Sequence, residues 1–95
     1  MATITITPEP TPNPRAMKFT TNVILNEGAG RSYYSAAAAA GDPIASRIFA
    51  LEGVTGVLIV GDFCTVNQDG SRNWSELIPR VEQILCEQVT HRQVP

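Results

Sequence analysis

A chain of 95 residues, 43% apolar and 17% charged, allows one small folded domain and no second one. Surface scaling gives roughly 5,300 Å² of accessible area when folded against about 14,800 Å² unfolded, enough for one core between two layers but no deep interior cavity. Six arginines and one lysine face nine acidic residues for a net charge of −2, and the cations are scattered rather than clustered, which argues against a nucleic-acid partner.

No apolar run approaches the roughly 20 residues needed to cross a bilayer, so no membrane association is expected; Val57-Leu58-Ile59-Val60 is typical of what there is. The start, Met1-Ala2-Thr3-Ile4-Thr5-Ile6, lacks a basic segment and a long apolar stretch, so no signal peptide is read. The two cysteines are therefore expected to stay reduced in a cytoplasmic setting.

Residues 2–7 alternate Ile4 and Ile6 with threonines, the period-2 pattern of a half-buried strand built from β-branched side chains. Prolines then fall at 8, 10, 12 and 14. Each lacks an N–H and holds the preceding residue extended, so the missing donors line one edge, which no further strand can join. The segment reads either as a stiff solvated connector or as a rigid binding arm. Residues 16–25 form a second strand, with Met17, Phe19, Thr21, Val23 and Leu25 on one side and Ile24 as an exception on the other. Asn26-Glu27-Gly28-Ala29-Gly30 breaks it.

Ser35 caps a short helix through five alanines that Gly41 ends, and Asp42-Pro43 reads as a new N-cap with proline in the first turn. The helix that follows puts Ile44, Ile48 and Leu51 on one face, and Glu52-Gly53 closes it. Residues 57–60 and 63–66 flank Gly61-Asp62, which suits a hairpin with a type II′ turn. One face then carries Val57, Ile59, Cys64 and Val66, and the other Leu58, Val60, Phe63 and Thr65. A hairpin apolar on both sides is either covered twice or leaves a patch for a partner. Asn73-Trp74-Ser75-Glu76 has the form of a capping box and opens an amphipathic helix to about Val89. Pro79 inside it predicts a kink or an irregular first turn, and residues 90–95 read as a loose tail.

The order β-β-α-β-β-α predicts an α+β two-layer sandwich, a mainly antiparallel four-stranded sheet with helices packed on one face, in a single domain over residues 1–95. Chemistry is sparse. Cys64 and Cys86 are 22 positions apart with no C-x-x-C, and His91 is alone in the tail, so neither a metal site nor an activated nucleophile is read. The cysteines read as packing residues, with oxidation-driven dimers through Cys86 left open. No acid pair stands out for general acid–base work and no glycine run cradles phosphate, so no catalytic residue, metal or cofactor is expected.

Four segments together resemble a known family: Thr11-Pro12-Asn13-Pro14 leading to Lys18-Phe19; Gly41-Asp42-Pro43-Ile44-Ala45 leading to Phe49; Glu52-Gly53-Val54 with Asp62-Phe63 and Thr65-Val66; and Trp74 with Leu77, Pro79 and Val81. They resemble the N-terminal domain of the Nfu/NifU-type iron–sulfur scaffold proteins. The resemblance implies that the cluster is held by a C-x-x-C in a separate domain, which is absent here. The fold and an accessory role carry over: docking onto proteins of iron–sulfur assembly or onto client proteins, as a monomer or weak homodimer. Asn13, Arg15 and Lys18 are the expected polar contacts and Leu58, Val60 and Phe63 the apolar ones, against a plain reading of Arg15 and Lys18 as solvated charges. The alternative function is direct iron–sulfur or metal binding by a homodimer, with Cys64 or Cys86 supplied by both chains.

Overall fold

The computed structural model describes residues 4–26 and 28–93. Its strands are β1 (Ile6–Pro10), β2 (Ala16–Thr21), β3 (Arg31–Tyr33), β4 (Val54–Val60) and β5 (Phe63–Gln68). Its helices are α1 (Ala36–Ala39), α2 (Pro43–Phe49) and α3 (Trp74–Gln93). The strands form one antiparallel sheet in the order β1-β2-β5-β4-β3, five strands rather than the four expected. The extra one, β3, is three residues long, too short for an alternating pattern to register.

The β4–β5 hairpin has the expected register, with Val60 opposite Phe63 and a two-residue loop. The left-handed φ of +56° falls on Gly61 and not on Asp62, as a type II′ turn requires. Because side chains alternate, Val57, Ile59, Cys64 and Val66 share a face with Met17 and Phe19 of β2, and all six are buried. Ile44, Ala45 and Ile48 of α2 and Val81, Leu85 and Val89 of α3 close over them into one core. The two-layer sandwich is thus as read, with accessible area of 5530 Å².

Several local expectations shift. Residues 2–3 of the first strand lie outside the described residues, and β1 instead takes in Pro8 and Pro10, pairing with β2 from Ile6 opposite Thr21 to Pro10 opposite Met17. Proline is tolerated there because β1 is the outermost strand, where a missing donor can face solvent. β2 stops at Thr21, whose hydroxyl oxygen lies 2.8 Å from the carbonyl oxygens of both Val23 and Asp62 and shares its one proton between them. The chain then turns, burying Leu25 and leaving Ile24 exposed, which accounts for the break in alternation.

The caps of α1 and α2 form as read, whereas the start of α3 shows backbone bonds where a capping box was expected. Ser35 Oγ accepts from the Ala38 N–H, and Asp42 Oδ1 accepts from those of Ile44 and Ala45. At the start of α3 the Asn73 backbone carbonyl accepts from Glu76 and Leu77. The helix continues past Pro79 and runs to Gln93, so the tail expected from Thr90 is helical that far; residues 94–95 lie outside the described ones. Among the described residues no helix is long and apolar enough to cross a membrane.

Candidate functional site

The helices leave the second face of the sheet uncovered, and strand registers set its side chains in rows. One row reads Thr7, Thr20, Phe63 and Val60; the next reads Glu9, Lys18, Thr65, Leu58 and Ser32; a third places Ala16 beside Asn67 and Gly56. Leu58, Val60 and Phe63 are half-buried and adjacent, a small apolar centre in a polar surround. Lys18 holds its ammonium 4.5 Å from the centre of the Phe63 ring, a cation–π contact that screens one side of the ring. Beside it, Glu9 Oε1 accepts from the Thr20 hydroxyl at 2.8 Å.

Glycine at two positions shapes this face. A Cβ at Gly30 would stand 2.5 Å from Val60 Cγ2, so the chain entering β3 can lie beside Val60 only without a side chain. A Cβ at Gly56 would meet the Asn67 amide at 3.1 Å and the Tyr34 ring at 3.5 Å. Tyr34, 77% exposed, therefore lies over bare backbone at the end of the face.

Beyond that end is a cleft of about 470 Å³ whose walls include Asn13, Arg15, Tyr34, Thr55 and Asn67. A β-bulge between Val54 and Gly56 takes Thr55 out of register and opens the strand there. The loop carrying Asn13 and Arg15 is held from within. Asn13 Oδ1 accepts from the Arg15 N–H, Thr11 Oγ1 donates to the Asn13 carbonyl, and Trp74 Nε1 donates to the Pro14 carbonyl at 3.0 Å. Trp74 thus ties the start of α3 to this loop. Asp69, at the cleft, has its carboxyl held below the ordinary range, chiefly by hydrogen bonds from Ser71, with Arg15 adding least.

Of the six residues singled out from the sequence, Lys18, Leu58, Val60 and Phe63 share the open face, and Asn13 and Arg15 line the cleft at its end. Sequence reasoning missed Tyr34 and Asn67. The only signal for Tyr34 was a large aromatic next to a helix cap. For Asn67 it was an odd-numbered position in β5, in phase with Phe63.

The cysteines do not converge on this face. Cys64 is fully buried among the core side chains, and burial pushes its thiol up to about 12. Cys86 is half-buried on α3. Among the described residues no three of His, Cys, Asp or Glu are grouped to hold a metal. A larger cleft, about 750 Å³, lies between the end of α2 and the first half of α3, but Arg72 there is paired with Glu52 and Glu76.

The family described as "Scaffold protein Nfu/NifU N terminal" matches residues 6–92. The Drosophila ananassae protein named "NFU1 iron-sulfur cluster scaffold homolog, mitochondrial" is 33% identical over 78 residues, 81% of this chain and 27% of that relative. The Drosophila willistoni protein of the same name is 33% identical over 86 residues, 90% of this chain and 30% of the relative. Among solved structures, the NifU-like protein of Saccharomyces cerevisiae superposes with a TM-score of 0.83 at 25% identity, covering 93% of this chain and 80% of that one. Protein SAV1430 of Staphylococcus aureus superposes with a TM-score of 0.71 at 26% identity, covering 84% and 96%. The chain belongs to the Nfu/NifU N-terminal scaffold family. It spans less than a third of the length of these curated relatives.

Proposed function

We propose that this chain is a non-catalytic interaction module of iron–sulfur cluster assembly or delivery, and that it works by binding proteins through the open face of its sheet. The observation that carries the reading is the apolar centre of Leu58, Val60 and Phe63 on the side away from the helices, with Lys18 drawn over it. An antiparallel sheet commonly leaves one face to solvent, and three adjacent apolar side chains in a polar surround on such a face are the form a docking patch takes. Family membership and the names of the relatives supply the link to iron–sulfur clusters. The cluster is cargo in this reading, carried by another molecule.

The competing reading, a homodimer ligating a cluster through Cys64 and Cys86, is disfavoured by position. Cys64 lies beneath the helices, and a raised thiol pKa opposes the thiolate that a metal requires. A monomer or weak homodimer in a reducing, cytoplasmic compartment suits two free thiols, whereas the relatives carry a mitochondrial designation. The proposed surface is made for protein, with neither a phosphate-binding cation cluster nor a membrane-spanning helix among the described residues.

The test is a cross-linked pull-down with mass-spectrometric identification, using wild type and a Leu58→Ala/Phe63→Ala variant whose melting curve shows it folded. Recovery of iron–sulfur assembly or client proteins by wild type and their loss from the variant is expected. Equal recovery by both, or no such protein with wild type, overturns the reading.

A further inference from the structure

The two edges of the sheet differ, and we propose that the β3 edge pairs with the β3 edge of a second copy of this chain, antiparallel and centred on Ser32.

The phase of the ladder fixes which backbone groups face outward. The Gln68 N–H donates to the Arg15 carbonyl and the Thr21 N–H to the Asp62 carbonyl. Bonding alternates along an antiparallel strand, so odd-numbered positions of β2 and even-numbered positions of β5 bond to each other. Even-numbered positions of β2 therefore bond to β1, where Lys18 and Thr20 lie opposite Glu9 and Thr7. That turns Pro8 and Pro10 outward, and their missing N–H groups close this edge to another strand.

On the other side, the same alternation bonds Phe63 and Thr65 to Val60 and Leu58. It then bonds Val57 and Ile59 to Tyr33 and Arg31, which leaves the Ser32 N–H and carbonyl facing outward. Ser32 is exposed, and among the described residues nothing else bonds to either group. β3 carries no proline, and its flanking residues of the same phase, Gly30 and Tyr34, are exposed as well.

The side chains select a second copy and its register. Centred on Ser32, the two serines exchange a pair of hydrogen bonds. Arg31 of each copy then stands opposite Tyr33 of the other, and Gly30 opposite Tyr34. A guanidinium beside an aromatic ring and a ring beside bare backbone are both favourable cross-strand neighbours. Sliding by two residues toward Gly30 sets Arg31 against its own copy, like charge on like. Sliding toward Tyr34 takes Arg31 out of the pairing. A strand of a different protein would meet the same two backbone groups without this match. Three residues a side make the dimer weak, with a dissociation constant on the order of 1 mM. Because paired residues share a face, both open faces lie on the same side of one ten-stranded sheet.

The test records amide spectra of the full ¹⁵N-labelled chain from about 0.05 to 2 mM, bracketing that constant. An isotope-filtered NOE experiment on a mixed-label sample accompanies it. Concentration-dependent shifts centred on Gly30, Ser32 and Tyr34 are expected. A contact is also expected between the Hα atoms of Arg31 in one copy and Tyr33 in the other, whose Cα atoms would stand about 4.5 Å apart. Ser32→Pro deletes only the outward donor, and is expected to weaken the dimer about tenfold or more while the β3–β4 pairing survives. Shifts that persist in the folded variant, shifts at β1 or on the open face instead, or no dependence on concentration overturn the inference. Should the variant not fold, the wild-type contact between Arg31 and Tyr33 decides: its presence supports the pairing and its absence overturns it.

Discussion

Arg31 donates from Nη1 to Asp42 Oδ2 at 2.7 Å, joining the first residue of β3 to the cap of α2. The same oxygen accepts from the Tyr33 hydroxyl at 3.1 Å, while Oδ1 takes the two helix N–H groups. One carboxylate, only 1% exposed, therefore holds the shortest strand and the helix beside it in place. Asp42→Ala removes the cap and leaves Arg31 and Tyr33 without their acceptor, an expected loss of about 3 kcal/mol. Asp42→Asn keeps an oxygen for the cap and loses the ion pair, so about half that cost is expected. Urea denaturation of the two variants beside wild type measures both.

Cys64 gives the fold an alkaline weakness. Its thiol is raised by burial, with the Asp42 charge adding to the effect, to about 12 in the folded chain. Between the ordinary thiol value and that figure the unfolded chain has lost the proton and the folded chain still binds it. Stability therefore falls as pH rises through this window, by about 1.4 kcal/mol per pH unit. Below the ordinary value the effect is absent. Tyr33, also raised by burial, adds a slope of the same sign above its own ordinary value. Cys64→Ala is expected to lose the thiol part, so the difference between the two stability–pH curves isolates it.

Gly30 leaves room for Val60. An alanine at position 30 would press on Val60 Cγ2, and a β-branched side chain has little freedom to turn away. Gly30→Ala is expected to cost about 1–3 kcal/mol. Combining it with Val60→Ala is expected to cost less than the sum of the two singles, since the clash is removed. A double-mutant cycle by chemical denaturation reads that coupling.

Trp74 reaches across the fold to the Pro14 carbonyl. Trp74→Phe keeps most of the packing and deletes this one hydrogen bond, for an expected cost of about 1 kcal/mol. The effect is expected to be local as well. The Arg15 amide, bonded to Asn13 Oδ1 within the same loop, is expected to exchange with solvent faster in the variant than in wild type. Unchanged exchange at Arg15 would show that Trp74 does not steady the cleft.

Much of this architecture can be read along the chain because its signals act over a few residues. Gly61-Asp62 between two apolar runs specifies the hairpin and its register. Asp42-Pro43 specifies the start of α2, and apolar spacing from Leu77 to Val89 specifies α3. Pro79 does not end the helix, since packing of Val81, Leu85 and Val89 into the core outweighs the loss of one backbone hydrogen bond near its start.

The site is legible only in part. Leu58, Val60 and Phe63 can be placed on one face by alternation, but whether helices cover that face or the other depends on contacts between segments far apart in sequence. The same holds for β3, whose three residues become a strand only because β4 lies alongside, and for Cys64, sealed by helices from both halves of the chain.

By itself, then, the sequence determined the local elements, the hairpin register and the family, because periodicity, caps and turns are short-range. Only tertiary packing decided which sheet face stays open, that Asp42 gathers Arg31 and Tyr33, and that Arg15 meets Asn67 and Tyr34 at one cleft. Those outcomes depend on how distant surfaces exclude water together, and no single segment carries that information.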